Sequence, residues 1–429
     1  MIETHVLVTA DDIDAAAARI SSVIAATPLQ LCERLSAATG ANVYLKREDQ
    51  QVVRSYKLRG AYNLMLQLDD TERAAGVVAA SAGNHAQGVA FACKAMAVPG
   101  RIYVPRSTPK QKRDRIRVHG GDFVELIPIG DTFDDAAAAA ADDVARTGAT
   151  MVPPFDDPRT VAGQGTIGAE ILSQLSVPPD SVVVPVGGGG CVAGIATYLR
   201  ARSPQTGLVG VEPAGAASMT AALVAGMPVT LPEIDPFVDG AAVRRAGDVP
   251  YATVAGLGAL VASHVAPGGF TLTHVDEGAV CTAMLELYQN EGIIAEPAGA
   301  LSVAALDNLD IAPGSTVVCL ISGGNNDVSR YGEILERSLV HLGLKHYFLV
   351  DFPQEPGALR RFLDQVLGPD DDITLFEYVK RNNREFGPAL VGIELGSQDG
   401  LTPLLERMDR SKIQCERLEP GSPTYSYLT

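Results

Sequence analysis

The sequence carries no surplus of positive charge. Its 51 aspartates and glutamates outnumber 34 lysines and arginines, a net charge of −17. That balance argues against a nucleic-acid or anionic-membrane partner, since either would favour a basic face. No window of about eighteen apolar residues is free of charge, so no membrane-spanning helix is expected. The opening residues Met1-Ile2-Glu3-Thr4-His5 have neither the basic nor the apolar segment of a secretory signal, and the expected compartment is the cytoplasm. Six cysteines (Cys32, Cys93, Cys191, Cys281, Cys319, Cys415) are scattered, with no C-x-x-C pair and no histidines at ligand spacing. In a large cytosolic chain they read as reduced, mostly buried small hydrophobes, and neither zinc nor disulfides are expected. Tryptophan is also absent, which decides nothing about function.

What is present is ample apolar material, 46% of 429 residues, in a chain long enough for two or three domains. Residues 1–40 read as helical, with Asp11 and Asp12 in a first turn where the helix dipole favours them, a break at Thr27-Pro28-Leu29 and a stop at Gly40. A strand is expected at 41–45. Further β-rich runs (76–81, 101–104, 122–127, 149–152, 181–186, 207–212, 315–321) then alternate with helical ones (56–67, 85–96, 109–119, 131–147, 164–175, 191–202, 277–291, 296–306, 329–342). Such alternation, with continuous Val/Ile runs, means α/β architecture: parallel sheet covered on both faces. After about residue 344 the order becomes strand 345–352, helix 356–367, strands 373–380 and 388–395, helix 401–408 and strand 413–418. That βαββαβ order is the ferredoxin-like split unit, and the boundary is expected near 338–345.

Three β-rich runs end in loops that carry chemistry. Run 181–186 feeds Gly187, Gly188, Gly189 and Gly190. From Gly188 to Ala193 the loop fits the dinucleotide fingerprint G-x-G-x-x-A, and Glu212 closes the next strand about twenty residues later. On spacing alone, a nicotinamide-dependent oxidoreductase is a rival. Either way, backbone N–H groups at a glycine loop and helix start bind phosphate; a plain tight turn is the bland alternative. Lys57, in Ser55-Tyr56-Lys57-Leu58-Arg59-Gly60, decides between cofactors. A solvated charge is the default for a lysine. This one sits near a helix N-terminus, where the dipole disfavours the ammonium form and favours an amine that condenses with a carbonyl cofactor.

Asn84, in Ser81-Ala82-Gly83-Asn84-His85-Ala86-Gln87-Gly88, is either a helix N-cap or an amide lying beside a ring and donating to a phenolate-like oxygen. His85 reads as a packed helix-start histidine ahead of a catalytic one. Ser322, in Ser322-Gly323-Gly324-Asn325-Asn326, is either turn chemistry or a hydroxyl donating to a ring nitrogen. A hydroxyl leaves that nitrogen unprotonated, a weaker electron sink that suits β-elimination. An amine, an amide, an anion-cradling glycine loop and a neutral hydroxyl are what a pyridoxal phosphate site requires.

Each in its motif, Lys57, Asn84, Gly187 to Gly190 and Ser322 resemble the fold-type II pyridoxal-phosphate enzymes, and within them the biosynthetic threonine dehydratase family. Thr27-Pro28-Leu29, Lys46-Arg47-Glu48-Asp49, Asp239-Gly240-Ala241-Ala242-Val243, Glu291-Gly292 and Glu296-Pro297-Ala298-Gly299-Ala300 match as well, and the likeness spans most of 20–330. The tail is similar to that family's ACT-like regulatory domain. The resemblance implies a two-lobed, tryptophan-synthase-β-like catalytic domain over 1–338 (large lobe 1–50 and 152–338, small lobe 51–151) and a regulatory domain over 339–429. It implies that pyridoxal 5'-phosphate joins Lys57, which then removes the substrate α-proton. Asn84 would touch the phenolic oxygen, Gly187, Gly188, Gly189, Gly190 and Cys191 the phosphate, and Ser322 the ring nitrogen. Ser81, Ala82, Gly83, Asn84 and His85 would seat the substrate carboxylate.

L-Threonine would lose its β-hydroxyl as water, and the released enamine would hydrolyse to 2-oxobutanoate and ammonia, the first committed step toward isoleucine. L-Serine lacks only the γ-methyl and is expected to overlap. Some relatives hold a cation near a residue placed like Glu212; Ser218 stands where an acidic ligand occurs in some of them, and no metal ligand is assigned. The tail implies isoleucine as effector with valine opposing it, although longer relatives carry two such copies and this chain has room for one. A homo-oligomer, a tetramer, is expected. The alternatives are a catabolic serine/threonine dehydratase, a non-catalytic amino-acid sensor on the same fold, and a tail that serves only dimerisation.

Overall fold

A computed structural model describes residues 8–262, 267–380, 384–411, 413–419, 422 and 425. The helical reading of 1–40 therefore begins with seven residues, 1–7, outside the described residues. The chain divides into two compact units, Met1–Asp327 and Val328–Thr429.

The first unit holds two sheets. The larger runs, in spatial order, Leu29–Leu31, Asn42–Arg47, Thr316–Ile321, Ser181–Pro185, Gly207–Pro213, Phe270–Val275 and Leu260–Val261. Its neighbours pair parallel apart from Leu29–Leu31, which is antiparallel to Asn42–Arg47. The smaller runs Val124–Pro128, Gly100–Val104, Val77–Ala80 and Thr150–Met151, all parallel. The continuous apolar runs are buried on both faces, as parallel sheets require: Val182, Val183, Val184, Val318 and Leu320 are fully enclosed.

Several elements went unread. Leu29–Leu31 is a three-residue strand directly behind Pro28, too short to show a period. Phe270–Val275 interleaves Thr271 and Thr273 with Phe270 and Leu272, and so lacks the unbroken apolar run of its neighbours. The short helices Asp70–Ala75, Ser218–Ala225 and Asp248–Gly256 also appear. The helix Pro158–Gln174 starts well ahead of its expected position. Asp157 caps it, accepting from the Arg159 N–H at 2.7 Å, and Pro158 fills the first position, where a missing N–H is no loss.

Helix Lys57–Leu66 crosses helix Pro158–Gln174 at backbone contact. A Cβ added at Gly163 would lie 2.7 Å from the carbonyl oxygen of Arg59. Beside this crossing lies a buried ionic cluster. Arg59, 1% exposed, donates from Nε and Nη2 to Glu48 (2.8 Å each), from Nη1 and Nη2 to Glu170 (2.7 and 2.9 Å), and from Nη1 to Thr166 Oγ1 (3.1 Å). Lys46 Nζ donates to Glu170 (2.6 Å), the Thr27 carbonyl (2.8 Å) and Gln174 (2.9 Å). Two cations face two carboxylates, and every donor of the Arg59 fork has a partner. The cluster ties the Lys57 helix to the strand Asn42–Arg47 and to the long helix.

The second unit is a four-stranded antiparallel sheet in the order Asp372–Tyr378, Phe386–Glu394, Lys345–Pro353, Gln414–Leu418, with helices Ala358–Val366 and Leu401–Ser411. Its core gathers Phe348, Phe352, Phe362, Val391, Ile393, Leu404 and Met408. Helix Tyr331–His341, which straddles the expected division at 338, falls wholly in this unit. Glu336 accepts from the Tyr347 hydroxyl at 2.5 Å and pairs with Lys345. Among the described residues, no helix is long and apolar enough to cross a membrane.

Candidate active site

Lys57 is the first residue of its helix, and the chain ahead of it is held at the end of strand Thr316–Ile321. Ser55 bridges Gly323, the Tyr56 N–H donates to the Ser322 carbonyl (3.1 Å), and the Gly324 N–H donates to the Arg54 carbonyl (2.9 Å). Arg54 takes a left-handed φ of 56°, a strain held by these contacts. The Lys57 Nζ donates to the carbonyl oxygen of Pro154 at 2.8 Å and lies 5.7 Å from the centroid of the Phe155 ring. Burial pulls its pKa down to about 8, against the Cys191 thiol and the Glu296 carboxyl, which pull the other way. Loss of water, rather than the helix terminus invoked from sequence, is thus the larger reason for a deprotonatable amine.

The glycine loop meets the lysine through Phe155. A Cβ at Gly188 would sit 2.3 Å from the Phe155 ring, and one at Gly190 2.9 Å from its Cβ. Gly189 has φ 91° and caps helix Gly190–Arg202, so its backbone turns where a side chain could not follow. Gly187 is similarly closed in by the Ala241 backbone at 2.9 Å, within the Asp239–Val243 motif. The first-turn N–H groups at Gly190, Cys191 and Val192 have no intrahelical acceptor, the arrangement that takes a phosphate. Burial pushes the Cys191 thiol up, keeping it neutral.

Asn84 opens helix Asn84–Met96, and the cap position is Gly83, so its amide is not an N-cap. Its Nδ2 donates to Glu296 Oε1 (2.6 Å), and its Oδ1 accepts from Asn325 Nδ2 (2.8 Å). Burial, with Asp239 adding, raises Glu296 to about 7 against the opposing pull of Asn84 and Lys112. His85 is buried. Its Nε2 meets the Val152 carbonyl at 2.7 Å, Nδ1 has no partner, and burial together with Lys57 lowers its pKa to about 3, so it is a neutral ring. The Gly83 N–H lies 3.3 Å from the Ser81 hydroxyl, which orders the Ser81-Ala82-Gly83 loop. Ser322 is buried at the strand end, its hydroxyl donating to the Ala298 carbonyl at 3.2 Å.

Glu212 serves another purpose. Its Oε1 accepts from the Met219 N–H (2.7 Å), and its Oε2 from the Thr220 N–H (2.9 Å) and hydroxyl (2.6 Å). It therefore caps the start of helix Ser218–Ala225 instead of reaching a ribose, which removes the acidic residue that the dinucleotide rival needs. Among the described residues, no group of three or more His, Cys, Asp or Glu could hold a metal ion.

A half-buried amine, a glycine cradle that any Cβ would fill, an amide fixed by its neighbours and an enclosed hydroxyl fit pyridoxal phosphate. The sequence reading missed Pro154 and Phe155, which sit in an irregular stretch without any pattern. It quoted the motifs holding Glu296 and Asn325 but gave neither residue a role.

Residues 20–323 match the family described as pyridoxal-phosphate dependent enzyme, and residues 336–428 match the C-terminal regulatory domain of threonine dehydratase. The chain is 72% identical over 417 residues to the L-threonine dehydratase biosynthetic IlvA of Mycobacterium tuberculosis, covering 97% of this chain and 95% of the relative. Among solved structures it is similar to the processed form of threonine deaminase isoform 2 from Solanum lycopersicum (TM-score 0.69, 39% identity, 76% of this chain and 94% of that one). A maize serine racemase matches with TM-score 0.69 and 29% identity, over 78% of this chain and 98% of that one.

Proposed function

Because the chain belongs to the biosynthetic threonine dehydratases, pyridoxal-phosphate-dependent lyases that turn L-threonine into 2-oxobutanoate and ammonia, we propose that Lys57 carries the reaction on a site built from Asn84, Gly187 to Cys191 and Ser322. The observation that supports this best is an amine with a pKa of about 8, half-buried beside Phe155, the same ring that closes the glycine cradle. When bound, the cofactor supplies the electron sink for charge developing at the substrate α-carbon.

The protein's own groups do the rest. The glycine loop and the start of helix Gly190–Arg202 would hold the phosphate. Ser322, by turning its hydroxyl from the Ala298 carbonyl, would donate to the ring nitrogen, and a neutral donor there would leave that nitrogen unprotonated. The Ser81–His85 turn and the first N–H groups of its helix receive the substrate carboxylate. Lys57 Nζ, unprotonated in an appreciable fraction near neutral pH, takes the α-proton. The β-hydroxyl leaves as water with a proton that balances the one taken up by Lys57, and the released enamine adds water and breaks down to the oxo acid and ammonia.

The regulatory unit is proposed to bind isoleucine, with valine opposing it, and the enzyme to act as a cytoplasmic homotetramer. The sequence match of 336–428 and a folded unit without catalytic groups support this role. A chain ending at Asp327 is expected to deaminate threonine at near the parent rate. Saturating isoleucine, which should lower parent activity at subsaturating threonine by about 5-fold or more, should leave it unchanged. Inhibition persisting in the truncated enzyme would place the effector elsewhere.

Initial rates with threonine and serine, each with and without isoleucine, test the reading as a whole. Serine should be used with a kcat/KM lower by about 10–200-fold, the worth of one methyl in a pocket. Cofactor binding without any 2-oxobutanoate would instead mark a sensor, and equal or better use of serine without an isoleucine response a catabolic enzyme.

A further inference from the structure

We propose that Glu296, with Asn325 and Arg115, is a positioning device that fixes which face of the Asn84 amide is presented to the cofactor ring. The inference rests on the proposed placement of Asn84 beside that ring. A carboxamide can be turned over at little steric expense, exchanging a donor for an acceptor, and only its partners decide its orientation. Here the partners form a chain whose polarity is set from the Arg115 end.

Arg115, on helix Lys110–Gly120, can only donate, and its Nη1 donates to Asn325 Oδ1 at 2.8 Å. That commits Asn325 to offering its Nδ2, which donates to Asn84 Oδ1 (2.8 Å) and to the Val53 carbonyl (2.8 Å). Asn84 is thereby committed to offering its own Nδ2, and Glu296 Oε1 accepts it at 2.6 Å. One N–H of Asn84 is held by Glu296, and the second remains for the phenolic oxygen of the ring. Reversing Asn84 would set its oxygen against the carboxyl of Glu296 and its N–H groups against those of Asn325, losing both bonds.

The carboxyl is locked in turn. Glu296 is 5% exposed, its N–H donates to the Gly323 carbonyl (3.1 Å), and a Cβ at Gly323 would fall 2.2 Å from its Oε1. Glycine at 323 is thus what admits the carboxyl to Asn84. Neither Glu296 nor Asn325 otherwise has an assigned role. Arg115 comes from a helix more than 200 residues away in sequence from Asn325.

The test compares holoenzyme variants Glu296→Ala, Glu296→Gln and the isosteric Asn325→Asp by the absorbance and fluorescence of the bound cofactor, its dissociation constant, and threonine kinetics. Asn325→Asp keeps an acceptor for Arg115 but has no donor for Asn84, so it attacks polarity without changing shape. Glu296→Ala and Asn325→Asp should each alter the ratio of the cofactor's absorbance bands. Each should weaken cofactor binding and lower kcat by about tenfold, the worth of one lost hydrogen bond, with KM for threonine little changed. Glu296→Gln, which keeps an accepting oxygen, should recover most of the loss. Parent-like spectra and kcat in Asn325→Asp and in Glu296→Ala would overturn the proposal. Should Glu296→Ala fail to fold, an unchanged Asn325→Asp overturns it alone. A parent protein showing no cofactor band fails at the earlier step, the reading of the site itself.

Discussion

Replacing Lys57 by alanine should leave a folded protein whose threonine turnover falls by at least about a thousandfold, because one amine both anchors the cofactor covalently and moves the α-proton. Its tertiary obligations are slight: one hydrogen bond from Nζ to the Pro154 carbonyl, and contact with the rings of Tyr56 and Phe155. The helix it starts is held instead by Leu58, Arg59, Ala61 and Leu64, all buried. Far-ultraviolet circular dichroism and the melting temperature should therefore stay close to the parent, while borohydride, which fixes the cofactor to the parent at the peptide containing Lys57, should fix none to the variant. Retention of more than a few per cent of parent turnover would take Lys57 out of this role.

Replacing Arg59 by methionine should do the reverse, harming the fold first. Methionine fills much of the same volume, but Glu48 and Glu170 then share the single cation of Lys46. Removing one member of a buried ionic cluster costs about 3–5 kcal/mol, because the charge left behind is under-compensated away from water. The pH dependence should change sign as well. In the parent, burial alone would raise the Glu48 carboxyl, but Arg59 outweighs it and holds its pKa below the usual value. The parent's contribution is therefore present above the unfolded pKa and lost as pH falls through the acid range. Without Arg59, burial prevails and the folded pKa of Glu48 rises. The variant should then be most stable at acid pH and lose stability as pH rises toward neutral. Urea midpoints at about pH 5 and pH 8 check this; a variant that tracks the parent at both would show the cluster to be dispensable.

The alternation of strand and helix, the tail's βαββαβ order and the chemistry-bearing loops could all be read because each is local. A valine run, four glycines in a row, or a lysine between an aromatic residue and a helix announces itself within ten residues. What could not be read was how those pieces are held. Lys46-Arg47-Glu48-Asp49 was visible only as a likeness to a family. Its partners Glu170 and Gln174 lie over a hundred residues away on a helix whose pattern is ordinary. Phe155 had no signal at all, since one aromatic residue in an irregular loop gains meaning only when Gly188 and Lys57 close on it. Glu212 misled for the same reason: its spacing suited a ribose, and only the fold revealed the helix start it caps. Local pattern carries element type and loop chemistry, whereas buried polar partnerships depend on the tertiary arrangement.

The pairing of Ser55 and Tyr56 with Gly323 and Ser322 has a consequence for synthesis on the ribosome. The segment presenting the reactive amine is made early, yet the strand that braces it enters the sheet's middle more than 250 residues later, between Asn42–Arg47 and Ser181–Pro185. At translation speeds of about 5–20 residues per second, a nascent chain waits tens of seconds before its cofactor pocket can close. During that interval the edge of Asn42–Arg47 lies open to mispairing. Closure of the cofactor pocket is consequently a late event, gated by arrival of the last parallel strand of this sheet.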